Sequence, residues 1–182
     1  MIKPYGFTLI ELLVTLTIAA ILLGVGVPSF STAIQNNRLI SSTNDLVSVL
    51  NLARSEAVTK GLRVTVCKSS DQATCDTSGS GWEQGWIVFT DENNNAAYDP
   101  SATPAETLLG VHGELDDQIT ASGNTNVVNY ISFGSTGQSQ MTSGAFQAGT
   151  ITICDDRNGD FGRNLVINST GRIRTSTGVT CP

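Results

Sequence analysis

The first 28 residues constrain this chain more than any other stretch. An apolar run extends from Phe7 to Val27 and contains a single charged residue, Glu11. At helical rise, such a run spans about 30 Å, the thickness of the hydrocarbon core of a bilayer. A carboxylate inside a membrane helix costs roughly 2.5–3.5 kcal/mol on insertion scales. We therefore expect a membrane-spanning helix in which a partner compensates the charge of Glu11.

A cleavable secretory signal or a simple membrane anchor is the alternative for this segment. A secretory signal has a shorter apolar core, followed by a small-x-small cleavage site. Here the run is long, Glu11 lies at its start, and an amphipathic stretch follows without a break. These features favour a helix that stays in the mature chain.

The hexapeptide GFTLIE, Gly6 to Glu11, resembles the processing signal of type IV pilins and type II secretion pseudopilins. The resemblance implies a leader of residues 1–6, cut by the prepilin peptidase between Gly6 and Phe7, and methylation of the new N-terminus. It also implies that Glu11 pairs with the N-terminal amine of a neighbouring subunit. Residues 7–28 are then the transmembrane, filament-core half of the helix, and residues 29–182 the periplasmic head with the helix's C-terminal half.

The helix is predicted to continue beyond the apolar run. Pro28 removes one backbone hydrogen bond, which predicts a kink rather than an end. Lys60 suits the last turn of a helix and Gly61 its cap. We expect one long, kinked helix from about Phe7 to Lys60, whose second half packs on the head; a coiled coil is the alternative for that half. Its apolar stripe consists of Leu39, Leu46, Leu50, Ala53 and Ala57.

After Gly61 the hydrophobic period changes to two, which is typical of strands. One helix followed by a run of strands predicts an α+β domain with an antiparallel sheet. The first strand alternates apolar and polar residues and is expected to be half-buried, and the last three are expected to form a meander. The predicted strands are Leu62–Cys67, Gly85–Thr90, Thr107–Val111, Gln118–Ser122, Val127–Phe133, Gly149–Cys154, Asn164–Asn168 and Arg172–Thr175.

This organisation resembles the GspH/FimT family of minor pilins and pseudopilins over nearly the full length. Beyond the N-terminus, the resemblance is carried by LNLARSEAV (Leu50 to Val58), GWIVFTDENNN (Gly85 to Asn95) and ICDDRNGDFGRNLVINSTGRIR (Ile153 to Arg174). It implies the type IV pilin fold, in which a helical spine packs on an antiparallel β-sheet head.

The same resemblance implies a structural role in a filament. The expected function is that of a minor type IV pilin in a tip complex that primes pilus assembly. Its partners are then other minor pilins, the major pilin and the prepilin peptidase. Its location is the bacterial inner membrane, with the head in the periplasm, and later the tip of a pilus or pseudopilus. A pseudopilin of a type II secretion system is an alternative.

Four cysteines lie beyond the membrane segment, which suggests disulfides formed in an oxidising compartment. Three connectivities are possible. We favour Cys67–Cys75 and Cys154–Cys181, because each joins neighbours in sequence. A zinc site is the weaker alternative, since there is no CxxC motif and the single histidine, His112, is far from all four in sequence. We expect neither a metal nor a cofactor.

The charge of the chain is unevenly distributed. The net charge of −6 excludes a general affinity for nucleic acid. Ten acids and no Lys or Arg lie between Asp71 and Asp117, whereas four arginines against Asp160 give 4 − 1 = +3 from Arg157 onward. Such asymmetry marks either a local anion site or two ordinary solvated faces.

Gly171-Arg172-Ile173-Arg174 is the polar motif with the clearest chemistry. In a strand the two arginines share a face about 6.7 Å apart, a spacing that reaches adjacent phosphates. The GRxR pattern resembles the element through which FimT-type minor pilins bind DNA for uptake, which implies double-stranded DNA as a partner. Arg157 and Arg163 are candidates to extend the patch. The alternative is an edge strand whose arginines discourage association between sheets.

Two acidic turns have a calcium-like spacing of oxygen ligands: Asp91, Asn93, Asn95 and Asp99 in one, and Asp155, Asp156, Asn158 and Asp160 in the other. The first departs from an EF-hand, because Ala96 replaces glycine at the sixth position and no Glu occupies the twelfth. We predict polar turns at both. We also predict no enzyme: there is no nucleophile elbow, phosphate loop or HExxH motif. His112 is expected on a surface loop, and Trp82 and Trp86 in packing.

Overall fold

The structure, a computed structural model, describes residues 6–79 and 81–181, apart from the side chain of Pro28. One helix, α1, runs from Leu9 to Lys60 and is continuous through residue 28. It ends where the sequence predicts, since Gly61 follows with φ +68°. Most of the predicted leader and the side chain of Pro28 lie outside the described residues. The chain divides after Asn37, and the compact unit that holds the head begins at Arg38.

Within that unit, the C-terminal half of α1 supplies one wall of the hydrophobic core. All five residues of the predicted apolar stripe are buried and belong to one cluster with residues of the strands. The stripe faces the sheets because leucine and alanine recur at the spacing of one helix face. The predicted packing of the second half of the helix on the head is therefore confirmed.

In the described part of the head, eight strands form two antiparallel sheets rather than one. The first sheet has the order β3-β2-β1-β5 and the second the order β4-β6-β7-β8. A single 3-10 turn at Trp82–Gln84 precedes β2. The strands are β1 Val64–Lys68, β2 Trp86–Thr90, β3 Leu108–His112, β4 Thr120–Gly123, β5 Tyr130–Phe133, β6 Gly149–Cys154, β7 Gly159–Ile167 and β8 Ile173–Cys181.

The first strand is buried on both faces, so the prediction of a half-buried strand is wrong. All five residues of β1 are buried. Val64 and Val66 face the main core, while Cys67 joins a second cluster with Ile87 and Phe89 on the other face. The loop segments 69–79 and 91–107 lie over that second face, since Cys75 and Tyr98 pack against this cluster. The alternation of apolar and polar residues in the sequence cannot reveal that loops bury the second face of this strand.

Three strands differ from the prediction by more than one residue in length, and one of them, β7, begins at Gly159 rather than at Asn164. The strand predicted at Val127–Phe133 begins only at Tyr130, because Val127 turns inward and its carbonyl accepts a hydrogen bond from the indole of Trp82 at 2.9 Å. The last strand extends to Cys181 rather than ending at Thr175. The polar sequence after Thr175 did not indicate a strand, because an edge strand needs little apolar surface.

Both favoured disulfides, Cys67–Cys75 and Cys154–Cys181, are present. The first closes the loop that covers the outer face of β1. The second joins the end of β6 to the end of β8 and passes over Gly162 of β7. A Cβ atom on Gly162 would lie 2.6 Å from Cys181 Sγ and 3.1 Å from Cys154 Sγ. Glycine at this position therefore makes room for the bridge.

Candidate functional site

The start of α1 carries a capping box that sequence reasoning missed. The Thr8 backbone N–H and hydroxyl donate to Glu11 Oε2 at 3.2 and 3.1 Å, and the Glu11 N–H donates to Thr8 Oγ1 at 3.3 Å. The signal was available as Thr-x-x-Glu before an apolar run. Among the described residues, Glu11 forms no ion pair, so its charge is met only by Thr8 and the helix N-terminus.

The predicted cleavage site lies just before this cap. Gly6 and Phe7 are non-helical and exposed, and the Phe7 side chain is 71% exposed. The apolar run that follows is also exposed along its length, for example at Leu9 and Leu22. The helix is long and apolar enough to cross a membrane by length and composition. An exposed apolar surface of this size requires lipid or neighbouring helices to cover it.

The glycine of the GRIR motif has a structural task. Gly171 closes the turn between β7 and β8, where its N–H donates to the Asn168 carbonyl at 2.9 Å and its φ is +74°. A Cβ on Gly171 would lie 2.1 Å from the Gly137 carbonyl oxygen. Arg54 of α1 joins both turns, donating to the Gly137 carbonyl at 2.9 Å and the Thr170 carbonyl at 3.3 Å. Arg54 therefore fixes this corner of the head to the helix.

Two of the four candidate arginines remain available at this corner. Arg172, just before β8, and Arg174, within it, are exposed and form no ion pair among the described residues. Ile173 between them packs against the core, as the alternation predicts. The backbone N–H of Arg172 donates to Asn168 Oδ1 at 2.9 Å, which holds the start of the motif in place.

The other two arginines do not extend this patch. Arg157 binds Asp155 at 2.5 Å and lies 4.2 Å over the ring of Phe161, so its charge is neutralised within the head. Arg163 lies opposite Ile153 of β6 in the strand register, so its side chain is on the face of the second sheet that carries the core. Arg174 lies opposite Val166, and its side chain is on the other face. The predicted cluster of four arginines thus reduces to Arg172 and Arg174.

The loop after β2 is held by two buried carboxylates. Asp91 Oδ1 accepts the N–H of Asn95 at 3.0 Å, and its Oδ2 accepts the Ala96 N–H at 3.1 Å and the Thr65 hydroxyl at 2.8 Å. Ala96 has φ +56°, the conformation a glycine would adopt there. The pKa of Asp99 is lowered because the Ser101 hydroxyl and N–H donate to it. The segment is therefore an ordered loop.

Glu106, which the sequence did not single out, is the second buried carboxylate of this loop. Its side chain is 4% exposed, and its Oε2 accepts the Asp99 N–H at 2.8 Å. No donor among the described residues reaches its Oε1 in good hydrogen-bond geometry, but the backbone N–H of Asn93 is near enough to the carboxylate to favour its charged form. Burial, and then repulsion from the carboxylates of Asp91 and Asp99, raises the pKa of Glu106. Nothing in its sequence position signals this role.

The raised pKa of Glu106 predicts a pH-dependent effect of the substitution Glu106→Gln on stability. The folded state disfavours the charged form, so the penalty is absent below the unfolded pKa and develops as pH rises through the folded pKa. We expect the neutral variant to be more stable than wild type at pH 7 and to lose this advantage by about pH 4. Urea unfolding followed by tryptophan fluorescence measures it, because Trp82 and Trp86 are both buried. An advantage that grows on acidification would contradict the prediction.

A shallow groove lies between α1 and the edge strand β3. Its volume is about 290 Å³, and its lining includes Val49, Leu52 and Val111. His112 lies here in β3 rather than on a surface loop: its ring stacks on Trp86 at 4.2 Å, and its Nε2 is 3.9 Å from Asp45 Oδ2. Trp82 and Trp86 are packing residues, as predicted. Within residues 6–79 and 81–181, no group of three His, Cys, Asp or Glu is arranged to hold a metal.

Comparison with known proteins places these features in one family. Residues 42–171 match the model of the family described as Type II transport protein GspH, and residues 1–27 match the prokaryotic N-terminal methylation motif. The chain is 33% identical over 129 residues to Pilin-like protein PilA1 of Thermus thermophilus, which covers 65% of this chain and 71% of that protein.

Solved structures agree with the fold. The type IV minor pilin FimU of Pseudomonas aeruginosa matches with a TM-score of 0.58 at 23% identity, over 80% of this chain and 93% of that one. A second crystal form of FimU matches with a TM-score of 0.55 at 22% identity, over 79% and 97% of the two chains. The fold is that of type IV pilins, with a long N-terminal helix and antiparallel sheets. The chain belongs to the GspH family of pilin-like proteins, which comprises minor type IV pilins and pseudopilins.

Proposed function

We propose that this chain is a minor type IV pilin, a structural subunit of the complex that primes pilus assembly and remains at the pilus tip. The prepilin peptidase cuts between Gly6 and Phe7, and the mature chain is held in the inner membrane by residues 7–28. The head then binds other minor pilins and the major pilin. The groove beside β3, with Val111 50% and Leu52 43% exposed, offers apolar surface for one of these contacts.

The position of Glu11 is the observation that supports this proposal most strongly. Its carboxylate lies four residues beyond the predicted new N-terminus, at the start of an exposed apolar helix. In hydrocarbon a lone carboxylate is costly, and a neighbour's N-terminal ammonium would neutralise it. The capping box with Thr8 orients the carboxylate but supplies no positive charge. Assembly with a second subunit would supply it.

Substitutions at Glu11 and Thr8 distinguish the effect of the Glu11 charge on assembly from the effect of the helix cap. Glu11→Gln keeps an oxygen that accepts the Thr8 N–H but loses the negative charge. We expect it to insert into the membrane normally and to reduce the number of surface pili at least tenfold. Thr8→Ala removes the cap, worth about 1 kcal/mol in a helix, and keeps the charge. We expect nearly normal pilus numbers in that variant.

Counting pili by electron microscopy, with membrane fractionation as the insertion control, decides between the two roles. Equal loss in Thr8→Ala and Glu11→Gln would assign Glu11 to helix capping alone. Normal pilus numbers in Glu11→Gln would refute the assembly role. Finding the chain in a secretion pseudopilus instead of a pilus would favour the alternative, a type II secretion pseudopilin.

A second candidate function is DNA binding for uptake through Arg172 and Arg174. The observation that favours it is their shared exposure at a corner fixed by Arg54, with no acidic partner among the described residues. Two guanidinium groups on one short segment can contact two phosphates. Binding through so few contacts is expected to be weak, independent of sequence and sensitive to salt.

The test is a salt titration of duplex DNA binding by the full-length chain in detergent micelles. Two phosphate contacts predict a slope of about −1.8 in log K against log salt. The double variant Arg172→Gln/Arg174→Gln should abolish binding, whereas the matched control Arg163→Gln, on the opposite face, should leave it unchanged. Absence of binding at low salt, or equal loss in the control, would leave the arginines as solvated edge residues.

A further inference from the structure

We propose that the outer edge of β3 binds an extended strand from the head of a different pilin subunit, and that this strand carries lysine or arginine beside an apolar side chain. This contact presupposes the proposed function, since it is one by which the head joins a neighbouring subunit. Three features of the described residues support it: an unprotected sheet edge, an apolar groove beside that edge, and an acidic rim at one end of the groove.

Three of the four sheet edges in the described part of the head are protected. The edge strands are β3 and β5 in the first sheet and β4 and β8 in the second. The segment after β5 covers its edge, because the Gln140 N–H donates to the Ser132 carbonyl at 3.0 Å. In β4 the Ala121 N–H donates to Glu83 Oε2 at 2.9 Å. The edge of β8 is mostly exposed and polar, and it carries the charge of Arg174.

The edge of β3 has none of these protections among the described residues. Its sequence, LLGVH, contains no Lys, Arg, Asp, Glu or Pro, which are the residues that discourage strand pairing at natural sheet edges. An apolar edge with unpaired backbone groups is a template for a strand from another chain. Its presence on a protein that assembles with others indicates a strand-binding surface.

The strand register shows which backbone groups of β3 are available. Ile87 of β2 lies opposite Cys67 of β1 and opposite Val111 of β3. Its backbone groups bond to β1, in phase with the Asp91 N–H, which donates to the Arg63 carbonyl at 2.9 Å. The N–H and C=O of Val111 therefore point away from β2. No other described segment forms a backbone hydrogen bond with them.

The apolar groove beside this edge accommodates a side chain of the incoming strand. The groove, about 290 Å³ in volume, lies between β3 and the face of α1 that carries Val49 and Leu52. Leu52 and Val111 are both exposed, and nothing lies within 4 Å of a Cβ atom added to Gly110. A strand added to β3 would lie about 4.8 Å from it, with alternate side chains directed to the side of α1. An aliphatic side chain at such a position fills the groove and covers Leu52.

Acids at one end of the groove determine the charge of the partner strand. Asp45 lines the groove, and it also lines an adjoining depression of about 260 Å³ together with Glu114. Asp116 in this depression is paired with Arg38 at 3.3 Å, and Asp45 has only His112 Nε2 near it, at 3.9 Å. Glu114 is exposed and forms no ion pair among the described residues. Lysine or arginine on the incoming strand is complementary to this rim, whereas an acid there is repelled.

Photo-crosslinking from position 111 in intact filaments tests this contact. A photoreactive phenylalanine analogue replaces Val111 in the full-length chain, and the irradiated filaments are sheared, digested and mapped by mass spectrometry. We expect an adduct with a strand of a different pilin subunit that carries Lys or Arg close to the point of attachment. Glu114→Lys should lower the adduct yield by about three- to tenfold through repulsion. The matched variant Asp160→Lys, at an exposed position in β7, changes the net charge equally and should keep the yield.

Proline at position 111 tests the same contact without a crosslinker. The Val111 N–H points away from β2, so Val111→Pro leaves the pairing with β2 intact but removes the donor that an incoming strand needs. We expect this variant to reduce the number of surface pili at least tenfold, while its thermal midpoint stays within about 3 °C of wild type. Val111→Thr keeps the N–H and should assemble normally.

Several results would overturn the edge contact and leave the proposed function intact, if the mature chain is found in filaments. They are the absence of an adduct from position 111, an adduct with a helix or with β8 of a second copy, an adduct yield unchanged by Glu114→Lys, and normal pilus numbers in Val111→Pro. If Val111→Pro fails to fold, the crosslinking result decides. Absence of the mature chain from filaments would instead refute the proposed function and the edge contact together.

Discussion

Replacing Gly171 with alanine is expected to destabilise the head by roughly 3–5 kcal/mol, the sum of a left-handed backbone penalty and a steric overlap. Gly171 has φ +74°, and a Cβ there would lie 2.1 Å from the Gly137 carbonyl oxygen. This carbonyl also accepts the hydrogen bond from Arg54 Nε, so moving it loosens the contact between the turn and α1. Urea unfolding followed by tryptophan fluorescence measures the loss.

Gly178→Ala is a matched control for this prediction. Gly178 has the same φ, +74°, but nothing lies within 4 Å of an added Cβ. It should therefore show only the backbone penalty, about 1–2 kcal/mol. Equal losses in the two variants would mean that the turn at Gly171 relaxes away from Gly137, and that the close contact contributes nothing to stability.

Removing the bridge Cys154–Cys181 is expected to cost about 3.5 kcal/mol on the chain-entropy account, and removing Cys67–Cys75 about 2.5 kcal/mol. The difference follows from the sequence separations of 27 and 8 residues. The double variants Cys154→Ser/Cys181→Ser and Cys67→Ser/Cys75→Ser, unfolded in urea under identical conditions, measure the two losses. An effect of the C-terminal bridge no larger than that of the shorter one would contradict the loop-length argument.

Gly162 provides an independent check on the C-terminal bridge. A Cβ at this position overlaps both sulfur atoms, so Gly162→Ala should destabilise the oxidised wild type more than the Cys154→Ser/Cys181→Ser variant. The overlap with the Val179 carbonyl, at 2.8 Å, persists in both backgrounds and sets the residual cost. Equal destabilisation by Gly162→Ala in both backgrounds would show that the disulfide makes no unfavourable contact with a Cβ atom at this position of β7.

The elements of this fold could be predicted where a local pattern determines them. Helical spacing from Leu39 to Ala57 predicted the buried face of α1, and Lys60-Gly61 predicted its end. Neighbouring cysteines predicted both bridges. The division into two sheets was not predicted, because which strands pair depends on contacts between distant segments rather than on local pattern.

The arrangement of the candidate sites was harder to predict from the sequence, because it depends more on tertiary contacts. Alternation placed Ile173 in the core and left Arg172 and Arg174 exposed, but it could not show that Arg157 is held by Asp155 or that Arg163 lies on the opposite face from Arg174. The buried position of Glu106 was not predicted, because residues 100–105 separate it in the sequence from Asp99, whose N–H donates to its carboxylate. The capping role of Glu11 could be predicted from Thr8, three residues before it, independently of the role in assembly that we propose for its charge.

The intact mass of the chain recovered from sheared filaments tests the central proposal most directly. If the chain is a pilin subunit, it is present in the filament fraction, lacks residues 1–6, and carries one methyl group on the amine of Phe7. A chain that keeps its leader, that is cut after the apolar run, or that is absent from filaments while present in the membrane would contradict the proposal.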